Sequence, residues 1–256
     1  MLATAQPILC QMDPIGLDDM KAVRLMNRVD QKYMAPASQL PLLLQLVANS
    51  YYVQQIEGNP IAPYRTLYFD TADLSMYTAH HNQKLNRQKL RVRRYRSTNT
   101  TFFEIKNKDN KKKTRKVRIP IAPEQFDRCL KVAEVASFVG TNTPYPIDHL
   151  VPCLENQFER ITLVDKGMSE RITIDSDIRF YNRDTGLEAD IAHLLVIEVK
   201  HEASSTMSTI ERALHQLHIQ PRRMSKYCIG TALTNPMAKH NRFKPKLLYI
   251  DKIRNL

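Results

Sequence analysis

Residues 87–121 read RQKLRVRRYRSTNTTFFEIKNKDNKKKTRKVRIPI, and the alternation in this stretch decides the architecture. Successive side chains of a strand point to opposite faces. In a strand over 89–95, Lys89, Arg91 and Arg93 therefore stand opposite Leu90 and Val92. In the next, over 101–106, Glu104 and Lys106 oppose Phe103 and Ile105, and in a third, over 116–121, Lys116 and Arg118 oppose Val117 and Ile119. The same period recurs elsewhere. Arg28, Asp30 and Lys32 fall in step in a strand over 25–34, Arg171, Thr173 and Asp175 oppose Ile172 and Ile174, and Glu198 and Lys200 oppose Ile197 and Val199. Further strands are expected over 64–69 and 157–165.

One strand with a charged face is usually a solvated face, but six need a common explanation. An antiparallel sheet must bury its apolar face, and helical segments are expected around 14–21, behind Ser38, and over 71–80, 123–138, 145–155, 205–217 and 223–233. With the helices outside, the charged faces all look one way, and a sheet that curls into a barrel encloses them. Two like charges ~5 Å apart repel by roughly 3 kcal/mol at an effective dielectric of about 20, so a bound anion offsets the crowding. The interleaved acids Asp30, Glu104, Asp175 and Glu198 suit two roles, as partners of the cations or as ligands of a hard divalent ion that bridges phosphate oxygens.

Composition narrows the chemistry. Residues 84–118 hold fifteen Lys/Arg against two acids, while the remainder of the 256-residue chain has 23 basic and 24 acidic residues. The charge excess is thus local and points to a polyanion. Six glycines, no two closer than 19 residues, exclude the glycine-rich phosphate loops, so side chains must hold any phosphate. Four widely spaced cysteines read as free thiols in a reducing compartment. No secretory leader or membrane span is expected, and the chain is expected to be cytoplasmic.

The motifs RVDQKY (28–33), YRTLYFDT (64–71), RQKLRVRRY (87–95), FEIKNK (103–108), ERITL (159–163) with RITIDSDI (171–178), VIEVK (196–200) and RRMSKY (222–227) occur in one order. Together they resemble the VTC domain, the polyphosphate polymerase domain of the vacuolar transporter chaperones, within the triphosphate tunnel metalloenzyme (CYTH-like) superfamily. The resemblance implies an α+β fold, an eight-stranded antiparallel β-barrel tunnel with a polar, basic interior, flanked and capped by helices. It implies nucleoside triphosphate, tripolyphosphate or polyphosphate as ligand, with Mg2+ or Mn2+. The family's basic strand positions fall on Lys32, Arg91, Arg93, Lys106, Arg160 and Arg171, its metal-binding glutamate on Glu198, and its helix motif on Arg223, Ser225 and Lys226. Lys116 and Arg118 match a further basic strand.

These positions assign Arg91, Arg93, Lys106 and Lys226 to catalysis. Lys32, Lys89, Lys116, Arg118, Arg160, Arg171, Lys200, Arg223 and Ser225 are expected to bind substrate, and Glu198, Glu104 and Asp175 the metal. The superfamily's opening ExExK motif is replaced here by Arg28-Val-Asp30-Gln-Lys32, which weakens the case for simple hydrolysis with two metals. The expected organisation is an N-terminal extension or short helix over 1–23, the tunnel domain over 24–235 and a basic tail over 236–256. Polyphosphate polymerase is the expected activity. Tri- or polyphosphatase, and a non-catalytic module binding polyphosphate or nucleic acid, are the alternatives. Nucleic acid is disfavoured because few aromatics interleave with the basic faces. The reading leaves room for a membrane partner protein and leaves oligomeric state open.

Overall fold

The computed structural model describes residues 2–22, 28–111, 113–202 and 207–254. The expected domain start at 24, strand start at 25 and helix start at 205, and Lys112, lie outside them.

The strands are β1 (Pro14–Ile15), β2 (Arg28–Pro36), β3 (Tyr51–Gln54), β4 (Ile61–Thr71), β5 (Arg87–Tyr95), β6 (Thr100–Lys108), β7 (Thr114–Ile121), β8 (Leu150–Asp165), β9 (Glu170–Asn182), β10 (Glu188–Asp190) and β11 (Leu194–Glu202). The α-helices are α1 (Leu2–Gln11), α2 (Leu40–Val47), α3 (Ser75–His81), α4 (Ala133–Asn142), α5 (Thr209–Gln216), α6 (Lys226–Thr234) and α7 (Lys244–Arg254). All eight expected strands form, and they make the main path of one antiparallel sheet in the order β2-β11-β9-β8-β4-β5-β6-β7. Among the described residues, short β1, β3 and β10 bring the sheet to eleven strands.

The tunnel wall is not a closed barrel, because no ladder joins β2 to β7 among the described residues. The reason is visible on β7. Its Arg115, Lys116, Arg118 and Pro120 are all exposed, and charged residues and proline on an edge strand discourage further pairing. The sheet nevertheless curls strongly. In a flat sheet β5 would lie three inter-strand spacings, about 14 Å, from β9, yet adjacent residues reach both: Ser225 bonds Lys89 of β5 and Lys226 bonds Asp175 of β9.

Three apolar clusters hold this shape. On the convex side, α1, α2 and α5 cover Ile161, Leu163, Ile172, Ile174, Ile197 and Val199. Farther along, a 3-10 segment (Pro123–Lys131) and α4 cover Leu67, Phe69, Leu90, Val92, Phe103 and Ile105. The third cluster fills one end of the concave side, where Met34, Leu154, Phe158, Ile178, Phe180 and Val196 meet α6 and α7.

Several local expectations shift. The helix expected over 123–138 is broken at extended Val132 (φ −85°, ψ 125°) into the 3-10 segment, itself kinked at Arg128 (φ −128°, ψ 24°), and α4. The segment expected as a helix over 14–21 is instead β1, pairing with β3, followed by a 3-10 turn. Residues 150–155, read as helical, begin β8, drawn into extended form by pairing with the end of β4. Helix α2 starts at Leu40 behind a 3-10 turn that contains Ser38, and no side chain caps it. Helix α5 has a full capping box, with Ser208 Oγ accepting from the Glu211 amide and the Glu211 carboxylate accepting from the Ser208 amide.

Helix α6 comes unusually close to the sheet. A Cβ on Gly230 would stand 2.5 Å from Cδ1 of Phe180 and 2.6 Å from Cδ2 of Leu154. Gly230→Ala is therefore expected to destabilise the fold by about 1–3 kcal/mol through overpacking, despite the higher helix propensity of alanine, as read by urea denaturation.

Candidate active site

The concave face inherits its residues from strand alternation and its rows from register. Lys89 of β5, Lys106 of β6 and Lys116 of β7 lie opposite one another, and the next row is Arg91, Glu104, Arg118. Across the sheet, Arg160 faces Asp175, and Lys32 faces Glu198. Like charges opposed this closely are destabilising, and three carboxylates relieve them.

Glu104, 1% exposed, takes Arg91 on Oε2 at 2.6 Å and Lys116 on Oε1 at 2.9 Å. Asp175, 3% exposed, receives a bidentate pair from Arg160 at 2.6 and 2.8 Å and a further bond from Lys226. Glu198 pairs with Lys32 through Oε2 and with Lys200 through Oε1 at 3.2 Å. All six carboxylate oxygens thus rest on cations. Burial would raise the Glu104 carboxyl, but Arg91, Arg93 and Lys116 outweigh it and hold it at about 2. Burial is likewise overcome at Asp175 by Arg160 and Lys226, and at Glu198 by Lys32 and Lys200, so both lie well below the usual range.

Arg93, Lys106 and Arg118 have no carboxylate partner among the described residues. Arg93 is buried and donates from Nε to the Thr66 hydroxyl at 3.0 Å. Its guanidinium stands 5.6 Å from the ring centres of both Tyr64 and Phe158. Burial, then Arg91 and Arg160, lower its pKa. Arg118 lies over Phe102 at 4.2 Å. Lys106 is exposed to solvent, yet surrounding protein together with Lys89, Lys32 and Arg91 pushes its ammonium down to about 8, against the opposing pull of Glu198. A group both wetted and enclosed is what a water-filled bore produces. Arg171 lies on the same face, in register with Lys200.

Helix α6 supplies the cap. Ser225 is its N-cap, its Oγ accepting from the Cys228 amide, and it also accepts a 2.7 Å bond from Lys89. Next to it, Lys226 meets Asp175 and sits 4.4 Å above the Phe158 ring. Burial, only partly offset by Asp175, brings its ammonium to about 8. The following residue, Tyr227, donates to Asp70, whose carboxylate also accepts the amides of Met76 and Tyr77 at 2.8 Å. Arg223 lines a cleft of about 300 Å³ with Asp30, Gln31, Lys32 and Pro221. A larger cleft of about 630 Å³, whose charged lining is Glu155, Glu188, Asp190 and the single Arg179, is unsuited to a polyanion.

The predicted residues therefore gather on one face. Alternation alone puts Tyr95 and Phe102 among the basic residues, but the rest of the aromatic wall was missed: Phe158 stacks on Tyr64 at 5.0 Å and 17°, Tyr64 meets Tyr95 edge-on, and Tyr95 meets Phe102. Alternation in YRTLYFDT places Tyr64, Thr66 and Tyr68 on the basic face, a signal that the charged residues obscured.

The chain belongs to the VTC domain family, whose model, described as VTC domain, matches residues 27–235. No curated protein matches the sequence. Among solved structures it is similar to a Bacillus halodurans protein named as a candidate adenylate cyclase, at 14% identity and TM-score 0.49, with 78% of this chain and 94% of that chain covered. A Hippeastrum protein, named as a candidate adenylyl cyclase with a dominant triphosphatase activity, matches at 14% identity and TM-score 0.47, covering 82% and 97%. A Vibrio parahaemolyticus candidate adenylate cyclase matches at 12% and 0.45, covering 80% and 99%. Among the described residues no helix is long and apolar enough to cross a membrane.

The divalent ion that the family resemblance implies does not fit these carboxylates as they stand. No group of three or more His, Cys, Asp or Glu that could hold a metal occurs among the described residues. An ion on Glu104, Asp175 or Glu198 would also sit beside two protein cations. At ~4 Å each unit charge repels another by about 4 kcal/mol at an effective dielectric of 20, so a divalent ion meets roughly twice that from each neighbour.

Anion binding should depend on pH through Lys106 and Lys226, both near 8 in the free protein. A bound phosphate raises both, so binding takes up protons above about pH 8 and weakens as pH rises. Calorimetric titration with tripolyphosphate is expected to show affinity steady up to about pH 7.5 and lower by roughly tenfold at about pH 9.5. Lys106→Met should flatten part of that fall.

Proposed function

We propose that this domain transfers the terminal phosphoryl group of a nucleoside triphosphate to the end of a polyphosphate chain. The P–O bond between the β–γ bridging oxygen and the γ-phosphorus breaks, a new P–O–P link forms at the acceptor phosphate oxygen, and nucleoside diphosphate leaves. Phosphoryl transfer of this kind asks mainly for positioning and for stabilisation of spread negative charge. Arginine forks suit bidentate contacts to phosphate, and lysines act as mobile point charges. In this reading Arg91, Arg93, Lys106 and Lys226 hold the phosphoryl group in flight. Lys32, Arg160, Arg171 and Lys200 grip one side of the chain, Lys89, Lys116 and Arg118 the other, and Arg223 and Ser225 the capped mouth.

The observation that supports polymerisation over hydrolysis is the state of the carboxylates. Activating water calls for a base, and Glu104 and Asp175, the candidates for that task, stand among cations that hold them strongly acidic in the free protein and so make them poor proton acceptors. A phosphate acceptor is already anionic and needs no base.

Purified protein given ATP and Mn2+ is expected to make long polyphosphate, resolved on a urea gel; free phosphate as the sole product would replace this reading with hydrolysis. Saturating tripolyphosphate, at roughly 100 times its Kd, is expected to raise the melting temperature by about 5–10 °C. Arg93→Ala should remove most of that rise, whereas Lys113→Ala, on the exposed loop after β6, should leave it intact.

A further inference from the structure

We propose that Glu104, Asp175 and Glu198 serve as internal counter-ions that an incoming phosphate chain displaces, so that the bore binds tripolyphosphate without a divalent ion. The inference rests on the triphosphate reading of this site and concerns how the charge of that ligand is met.

A carboxylate available to a divalent ion keeps an oxygen free for it, and such ions take about six oxygen ligands. Here every oxygen of the three carboxylates is occupied by an ammonium or guanidinium of the same face. The acids are also spread over three strands, β6, β9 and β11, each set between cations on its own or a neighbouring strand and, for Asp175, on the start of α6. That dispersal suits charge balance along a bore better than a single metal centre. Arg93, Lys106 and Arg118 have no ion-pair partner among the described residues and are ready to receive phosphate at once. The six paired cations can then exchange carboxylate oxygens for phosphate oxygens, which offer the same charge-assisted bonds. In the exchange each carboxylate becomes a competitor of the ligand. Removing its charge should therefore strengthen binding, whereas removing a metal ligand should weaken it. A divalent ion in this picture arrives on the phosphate oxygens of the substrate.

Isothermal titration of the full chain with tripolyphosphate, in EDTA and in millimolar Mg2+, separates the two cases. The wild type is expected to bind in EDTA with an affinity within about threefold of that in Mg2+, since its own cations neutralise the ligand. Glu198→Gln and Glu104→Gln are expected to tighten metal-free binding by roughly three- to tenfold, because the competing anion is gone. Binding seen only in Mg2+, or weakening of either variant by about tenfold or more, would overturn the proposal. The wild-type comparison stands even where a variant fails to fold. Absence of binding in both buffers would overturn this inference and the triphosphate reading together, whereas Mg2+-dependent binding would sink the inference alone.

Discussion

Cations crowded on the concave face of one sheet set the terms for the rest of this molecule. Lys89, Lys106 and Lys116 stand in one row, with Arg91 and Arg118 flanking Glu104 in the next. The structure tolerates them because Glu104, Asp175 and Glu198 each join two cations and because the face stays wet, as the exposure of Lys106 shows. Helices α6 and α7 pack on the apolar end of this face, and a helix over the charged remainder would strand cations that have no carboxylate partner among the described residues. The apolar face of each strand must then look outward, under α1, α2 and α5 on one half and under the 3-10 segment and α4 on the other. Curl, helix placement and bore are consequences of one sorting of side chains.

Helix α6 links the apolar plug to the charged bore. Three consecutive residues at its start reach three different strands: Ser225 meets Lys89 on β5, Lys226 meets Asp175 on β9, and Tyr227 meets Asp70 on β4. Asp70 also caps α3, so the position of the Lys226 ammonium depends on a buried hydrogen-bond network well behind it. Gly230, one turn on, lets the helix descend onto Phe180 and Leu154. A shift of α6 would disturb core packing and site geometry together.

Much of this was legible in the sequence. Alternation within LRVRRY, FEIKNK and VIEVK correctly sorted inward from outward residues, because period two is a property of the extended backbone itself. The aromatic wall was harder to see: Tyr64 and Phe158 are ordinary packing residues in isolation and become the flank of Arg93 and Arg160 only when β4 and β8 pair. Helix ends were less legible where tertiary pairing overrode local preference, as in the conversion of residues 150–155 to strand. The open seam at β7 was written in its lysines, arginines and Pro120, but the reading expected closure.

What the residues determined unaided was which side chains share a face, where charge concentrates and that no glycine loop holds phosphate, since each depends on spacing along a few neighbouring residues. Which cation meets which carboxylate belonged to the tertiary structure. Lys32 and Glu198 are 166 positions apart, and Lys89 and Ser225 are 136 apart. Their meeting depends on strand order, register and the descent of α6 into the sheet. Spacing in the chain carries no information about such distant partners. Because every acid of the bore had several cations within reach by alternation alone, only the folded arrangement could decide whether its oxygens were free for a metal or already taken.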